Sequence, residues 1–213
     1  MSESFINPGT SLGISGVNQK ALALSQIKTQ IRASVAVKVA LLDDEILLDQ
    51  VIQLAQTCLC ALRAGGKIIF AGNGGSFADA QHLSAEFTSR FLFDRAALAS
   101  LALGTNNSAM SAIGNDYGYE QVFARELSGI AKPDDVFIPI STSGNSLNIL
   151  AAVALAKELG VTTVAWTGET GGQLKSVCDC LCIPSSDTAR IQECHIMVGH
   201  ILCSLVEREY FGK

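Results

Sequence analysis

Apolar residues recur at spacings of three and four from Lys20 onward, with Leu24, Ile27, Ile31 and Val35 on one stripe. That is the period of an amphipathic helix. A second helical stretch over about 43–62 stops at Gly65 and Gly66, a common end for a helix. Beyond this point short, wholly apolar runs alternate with helical segments. The runs at 67–71, 97–102, 135–140, 162–167 and 181–184 read as five strands. Helical patterns occupy 76 to about 91, 108–113, 119–130, 147–159 and 188–210. Strands that are apolar on both faces and separated by helices predict an α/β fold with a parallel sheet covered on both sides. The two leading helices are expected to cap the sheet or to pack against another subunit. Residues 1–18 are rich in Gly and Ser with one proline and read as a flexible leader. Residues 19–213 then form a single domain.

Composition narrows the classes of function. A chain of 213 residues suffices for one α/β domain with a full core. It is 48% hydrophobic and only 16% charged, a surplus of apolar surface that a subunit interface would absorb. A net charge of -5 argues against nucleic acid, whose binders cluster Lys and Arg. No unbroken apolar run reaches the roughly 18 residues of a membrane span. The first residues have neither a basic nor an apolar region of a secretory signal. Seven cysteines, an odd number set in apolar segments, fit reduced thiols and a cytoplasmic location. Cys178, Cys180 and Cys182 alternate; a metal site is conceivable, but one face of a strand explains them better.

Two polar loops stand where open α/β sheets bind ligands, between the end of a strand and the start of a helix. The loop at 141–146 reads STSGNS, with four hydroxyl residues in six positions. Hydroxyls, free backbone N–H groups and the helix dipole can converge there on a phosphate without any Lys or Arg. An N-cap and a turn alone would require fewer of these groups. The loop at 72–76, GNGGS, allows close backbone approach. It lacks the spacing of a dinucleotide fingerprint.

The helix after the first loop carries Asp79, His82 and Glu86. His82 and Glu86 are four apart and share a face, as a metal pair, a proton-transfer pair or an incidental solvated pair would. The last helix carries Arg190, Gln192, Glu193, His195 and His200. Gln192 and His200 lie about 12 Å apart along the axis and about 80° around it. Long side chains, or residues from different subunits, would be needed to bring both to one point. His195 is a rival to His200.

The segments GNGGSFADAQHLSAEFTSRF, SAIGNDYGYEQVFARE, ISTSGNSLNILAA and ARIQECHIMVGHI resemble the sedoheptulose-7-phosphate (phosphoheptose) isomerase family of the sugar isomerase (SIS) domain group. The resemblance extends from about Lys20 to the C-terminus. It implies a flavodoxin-like three-layer sandwich around a five-stranded parallel sheet, and a homotetramer with active sites at subunit interfaces. It implies conversion of sedoheptulose 7-phosphate to D-glycero-D-manno-heptose 7-phosphate through an enediol, the first step of ADP-heptose/GDP-heptose biosynthesis. By resemblance Asn73, Gly74, Gly75, Asn115 and Asp116 line the substrate site, and Ser141, Thr142, Ser143 and Ser146 hold the phosphate. His82, Glu86, Gln192 and His200 match zinc-binding positions, and Glu86 and His200 match the proposed acid/base pair. Some family members have an acidic residue directly before the arginine of RIQE, where this chain has Ala189; Asp187 is two residues earlier. The same group includes a non-catalytic tetrameric protein that associates with the bacterial replication initiator and lacks the glutamate at the position of Glu86. It also includes sugar-phosphate-sensing domains of regulators, which carry a DNA-binding domain. Glu86, Gln192 and His200 together favour the enzyme.

Overall fold

The computed structural model describes residues 17–212, so the expected leader lies almost wholly outside the described residues. Helix α1 spans Val17–Leu42 and α2 spans Glu45–Arg63. Asp44 starts α2 by accepting the amide of Leu47, which satisfies one of the unpaired N–H groups of a first turn. By length and composition α2 could cross a membrane, a property that a search for unbroken apolar runs overlooks. Its Leu47, Val51, Leu54, Cys58 and Leu62 are instead buried in the core.

The parallel sheet follows, with β1 (Ile68–Gly72), β2 (Ser100–Ala102), β3 (Val136–Ile140), β4 (Thr162–Thr167) and β5 (Asp179–Cys182) in the order β2-β1-β3-β4-β5. Helix α3 (Gly75–Thr88) follows β1, α4 (Asn107–Tyr117) and α5 (Val122–Ile130) follow β2, α6 (Leu147–Glu158) follows β3, and α7 (Thr188–Phe211) closes the chain. Alternate strand residues serve the two faces. Ile68, Phe70 and Ile138 pack under α2, α3 and α7, while Ile69, Ala71 and Phe137 pack under α5 and α6.

Two strands differ from the reading of the sequence. β2 begins at Ser100 rather than 97. β5 occupies Asp179–Cys182 rather than 181–184; Ile183 still donates its amide to the Thr167 carbonyl at 3.0 Å, and Pro184, with no N–H to give, ends the ladder. Cys180 and Cys182 lie on one face of β5 and Cys178 just before it, with Cys178 and Cys180 packed against the core. All seven thiols are free.

Helix α1 is tied to α7 by polar contacts. Glu193 accepts the Ser34 hydroxyl and pairs with Lys38 at 3.2 Å and Arg190 at 3.1 Å. The Ser34 hydrogen bond above all holds the Glu193 carboxyl below its ordinary range. Leu24, Ile27, Ile31 and Val35 remain about half exposed, so this stripe does not cap the sheet of its own chain.

Candidate functional site

Strand order 2-1-3-4-5 places a crevice between the carboxyl ends of β1 and β3. Those strands pair through Gly72 and Ile140, so the loops at 72–76 and 141–146 open side by side. A reciprocal amide pair joins them: Asn73 Nδ2 donates to Asn148 Oδ1 and Asn148 Nδ2 to Asn73 Oδ1, each at 2.9 Å. Asn148 is buried in the first turn of α6. In the second loop Ser141 Oγ and Ser146 Oγ are 3.1 Å apart. Ser146 is the N-cap of α6, yet its hydroxyl does not cap the helix. It is therefore available, with the unpaired first-turn N–H groups, to an anion. Gly144 has φ 66°, and a Cβ there would come within 2.1 Å of the Gly171 carbonyl oxygen, so the loop is seated tightly on the turn after β4. Beside it lies a cavity of about 280 Å³ lined by Thr142, Ser143, Glu169, Ser185 and Thr188. A larger open cavity of about 530 Å³, lined by Gln53, Thr57, Asp134 and Thr162, is at the amino ends of the strands, away from the polar loops.

Helices α3 and α7 both start at the carboxyl ends of strands and run parallel in contact. Gly75 faces Gln192, His82 faces His200, and Gly199 sits against Leu83. A Cβ on Gly199 would come 2.4 Å from a Leu83 methyl, so glycine sets the close approach. This packing brings His82 Nε2 to 2.9 Å from His200 Nε2 and to 3.2 Å from Glu86 Oε1. The ligand atoms of His82, Glu86 and His200 lie within 4.8 Å of one another, the only such His/Cys/Asp/Glu group among the described residues. Two imidazole nitrogens and a carboxylate aimed at one point suit a divalent cation such as zinc. Phe91 stacks on His200 with centroids 5.6 Å apart. One turn before His82, burial pushes the Asp79 carboxyl up to about 6 against the opposing effect of His82, and its Oδ2 has no partner.

Other candidates fall elsewhere. Gln192 contacts Gly75 at the amino end of α3, about 10 Å along the axis from His82. Gln192 and His200 are therefore not brought to one point within this chain, whereas His200 meets Glu86 within it. His195 is buried, its Nε2–H donating to the Thr167 carbonyl at 3.1 Å. Burial holds its pKa down to about 4, with the Thr167 bond opposing, so it belongs to the core. Asp187 caps α7 by accepting the amides of Ala189 and Arg190, which occupies the acid nearest Ala189. Asn115 and Asp116 are exposed on α4 and hydrogen-bond each other. The reading of single motifs missed Asn148 and Tyr119, whose hydroxyl reaches Asn73 Oδ1 at 3.2 Å; both lie inside the segments that carry the family resemblance.

Residues 33–168 match the SIS domain family model. The chain is 52% identical over 186 residues to a phosphoheptose isomerase of Aneurinibacillus thermoaerophilus, covering 87% of this chain and 94% of that protein. It is 49% identical over 191 residues to one from Burkholderia pseudomallei, covering 89% and 97%. Among solved structures, a phosphoheptose isomerase from Francisella tularensis superposes with a TM-score of 0.83 at 32% identity, covering 87% of this chain and 98% of that one. One from Neisseria gonorrhoeae gives 0.80 at 38% identity with the same coverage. With the switch-point loops and the paired helices already in place, these likenesses establish that the chain belongs to the phosphoheptose isomerase family of SIS-domain proteins.

Proposed function

We propose that this protein is an aldose-ketose isomerase that converts sedoheptulose 7-phosphate to D-glycero-D-manno-heptose 7-phosphate. The observation that carries the reading is the meeting of His82, Glu86 and His200 in a chain of this family, about 10 to 16 Å along α3 from its start at Gly75 beside the loops. Ser141, Thr142, Ser143 and Ser146 hold the phosphate, and the backbone at Gly74 and Gly75 lets the open-chain sugar lie close to β1. Glu86 removes a proton from C1 of the ketose while O2 gains one, giving the enediol. Loss of the O1 proton and delivery of a proton to C2 then give the aldose, with no external oxidant or reductant. His200 donates to and accepts from the sugar oxygens during these transfers. His82, Glu86 and His200 would hold zinc; Gln192, a further ligand by resemblance, lies against Gly75 in the same chain and would reach such an ion only from another subunit. A bound zinc ion supplies positive charge where the two sugar oxygens become negative. Asn115 and Asp116, exposed on α4, contact the sugar as the resemblance implies.

The working form is a homotetramer in the cytoplasm. The exposed α1 stripe supports assembly, and seven free thiols support a reducing compartment. A purely binding role for the chain leaves the convergence of Glu86 with two imidazoles without a purpose. Incubation of the purified protein with sedoheptulose 7-phosphate, before and after chelation and zinc addition, tests the proposal. Formation of heptose 7-phosphate supports it. No conversion by the zinc-loaded protein excludes it.

A further inference from the structure

The turn after α3 and the far end of α7 meet in a buried ion pair. Arg95 Nε donates to Glu207 Oε1 at 2.8 Å, and the two side chains are 2% and 1% exposed. Arg95 Nη2 donates to the Glu86 carbonyl at 2.8 Å, and Nη1 to those of Phe87, Ser89 and Ala96 at 2.6–3.0 Å. Glu207 in turn accepts the amides of Phe91 at 2.9 Å and Leu92 at 2.7 Å. Burial favours the protonated carboxyl, but these two amides and Arg95 hold it charged and below its ordinary range.

A buried ion pair is a costly way to obtain stability, and apolar residues of similar volume often serve as well. What this pair contacts is more informative. Arg95 satisfies the open carbonyls of the last turn of α3, the turn that carries Glu86. Glu207 fixes the backbone of Phe91, whose ring lies on His200. Glu207 is seven residues after His200, two turns along the same face of α7. One clamp thus restrains the backbone of the base and the ring that seats the imidazole.

We infer that Arg95 and Glu207 are positioning residues that keep Glu86 and His200 at the separation proton transfer requires. The inference rests on the proposed isomerase reading. The clamp touches neither the 141–146 loop nor any group expected to hold phosphate, so it acts on turnover rather than on anchoring. The pair Lys67–Asp135 serves as a comparison: it is also largely buried, with Asp135 1% exposed, and it joins the amino ends of β1 and β3, away from the site.

The test measures kcat, KM and thermal unfolding for Arg95→Lys, Glu207→Gln, Phe91→Leu and, as the control brace, Asp135→Asn. In the first two, kcat is expected to fall about 10–100-fold, as small misplacements of reacting groups do, with KM within about threefold. Phe91→Leu keeps the ion pair and lowers kcat by a smaller factor. Asp135→Asn lowers the unfolding temperature but leaves kcat within about twofold. If Arg95→Lys does not fold, Glu207→Gln and Phe91→Leu decide the matter. Unchanged kcat in the folded variants overturns the inference, as does an equal loss in Asp135→Asn. An inactive wild-type protein overturns the isomerase reading and this inference with it, whereas an active wild type with unaffected variants overturns the positioning role alone.

Discussion

Exchanging one oxygen of Glu86 for an amide nitrogen preserves volume and removes the charge that a base requires. Glu86→Gln is expected to keep the fold and the affinity for inorganic phosphate while losing turnover by roughly 10²–10⁴-fold. Steady-state kinetics beside a phosphate titration measure both, and near-normal turnover would remove Glu86 from the role of base. His195 makes a different prediction, about stability. Its pKa is near 4 in the folded chain and about 6.5 when unfolded. Between these values the unfolded chain binds the extra proton, so stability is complete above about pH 6.5 and declines until about pH 4. The decline is worth roughly 3 kcal/mol. Urea unfolding at pH 7, 5 and 4 should show a shallower decline in His195→Gln than in the wild type; equal slopes would assign the acid sensitivity to other groups. The two histidines of α7 illustrate what residue types reveal. Spacing alone left His195 and His200 as rivals, and only the packing of α7 separates a ring bonded to Thr167 from one facing His82.

At the scale of elements, the 141–146 loop separates structural hydroxyls from available ones. Ser143 Oγ accepts the amide of Asn145, so Ser143→Ala loosens the turn as well as removing a ligand group. Ser146 does not cap α6, but its hydroxyl pairs with that of Ser141, so Ser146→Ala removes a ligand group together with that contact. Its expected cost to phosphate and sugar-phosphate binding is about 0.5–1.5 kcal/mol for a neutral bond and more for a bond to a charged oxygen. Calorimetry with both ligands would reveal it; unchanged affinities would place the anion elsewhere. The strand-helix rhythm and both loops were legible in advance, because wholly apolar runs and hydroxyl-rich punctuation are local signals. The ends of β2 and β5 were not, since apolar residues such as Ile183 are buried whether or not they belong to the ladder. The α3–α7 contact was also hidden. It depends on Gly199 meeting Leu83, and on an Arg95–Glu207 pair separated by 112 residues, for which periodicity holds no mark.

For the whole molecule, the α1 stripe is the feature to challenge. Ile27→Asp with Ile31→Asp should break the assembly into smaller species by light scattering at micromolar concentration, because both residues are more than half exposed in the single chain and their charges would be buried only in a subunit contact. A wild-type monomer with full activity would refute the tetramer. Mixing Glu86→Gln with His200→Ala subunits should restore no activity, since the two side chains meet within one chain; recovery would mean that exchange between subunits completes the site. The position of that site also bears on how such proteins diverge. The His82 side chain is 50% exposed and that of Glu86 22%, and neither residue is part of the hydrophobic core. On the roles proposed for these residues, a lineage can discard the chemistry by one substitution at the helix surface and keep the same architecture as a scaffold for another use. Selection on such a chain acts on folding and on reactivity almost separately, so the shape alone is a poor record of whether the catalyst has survived.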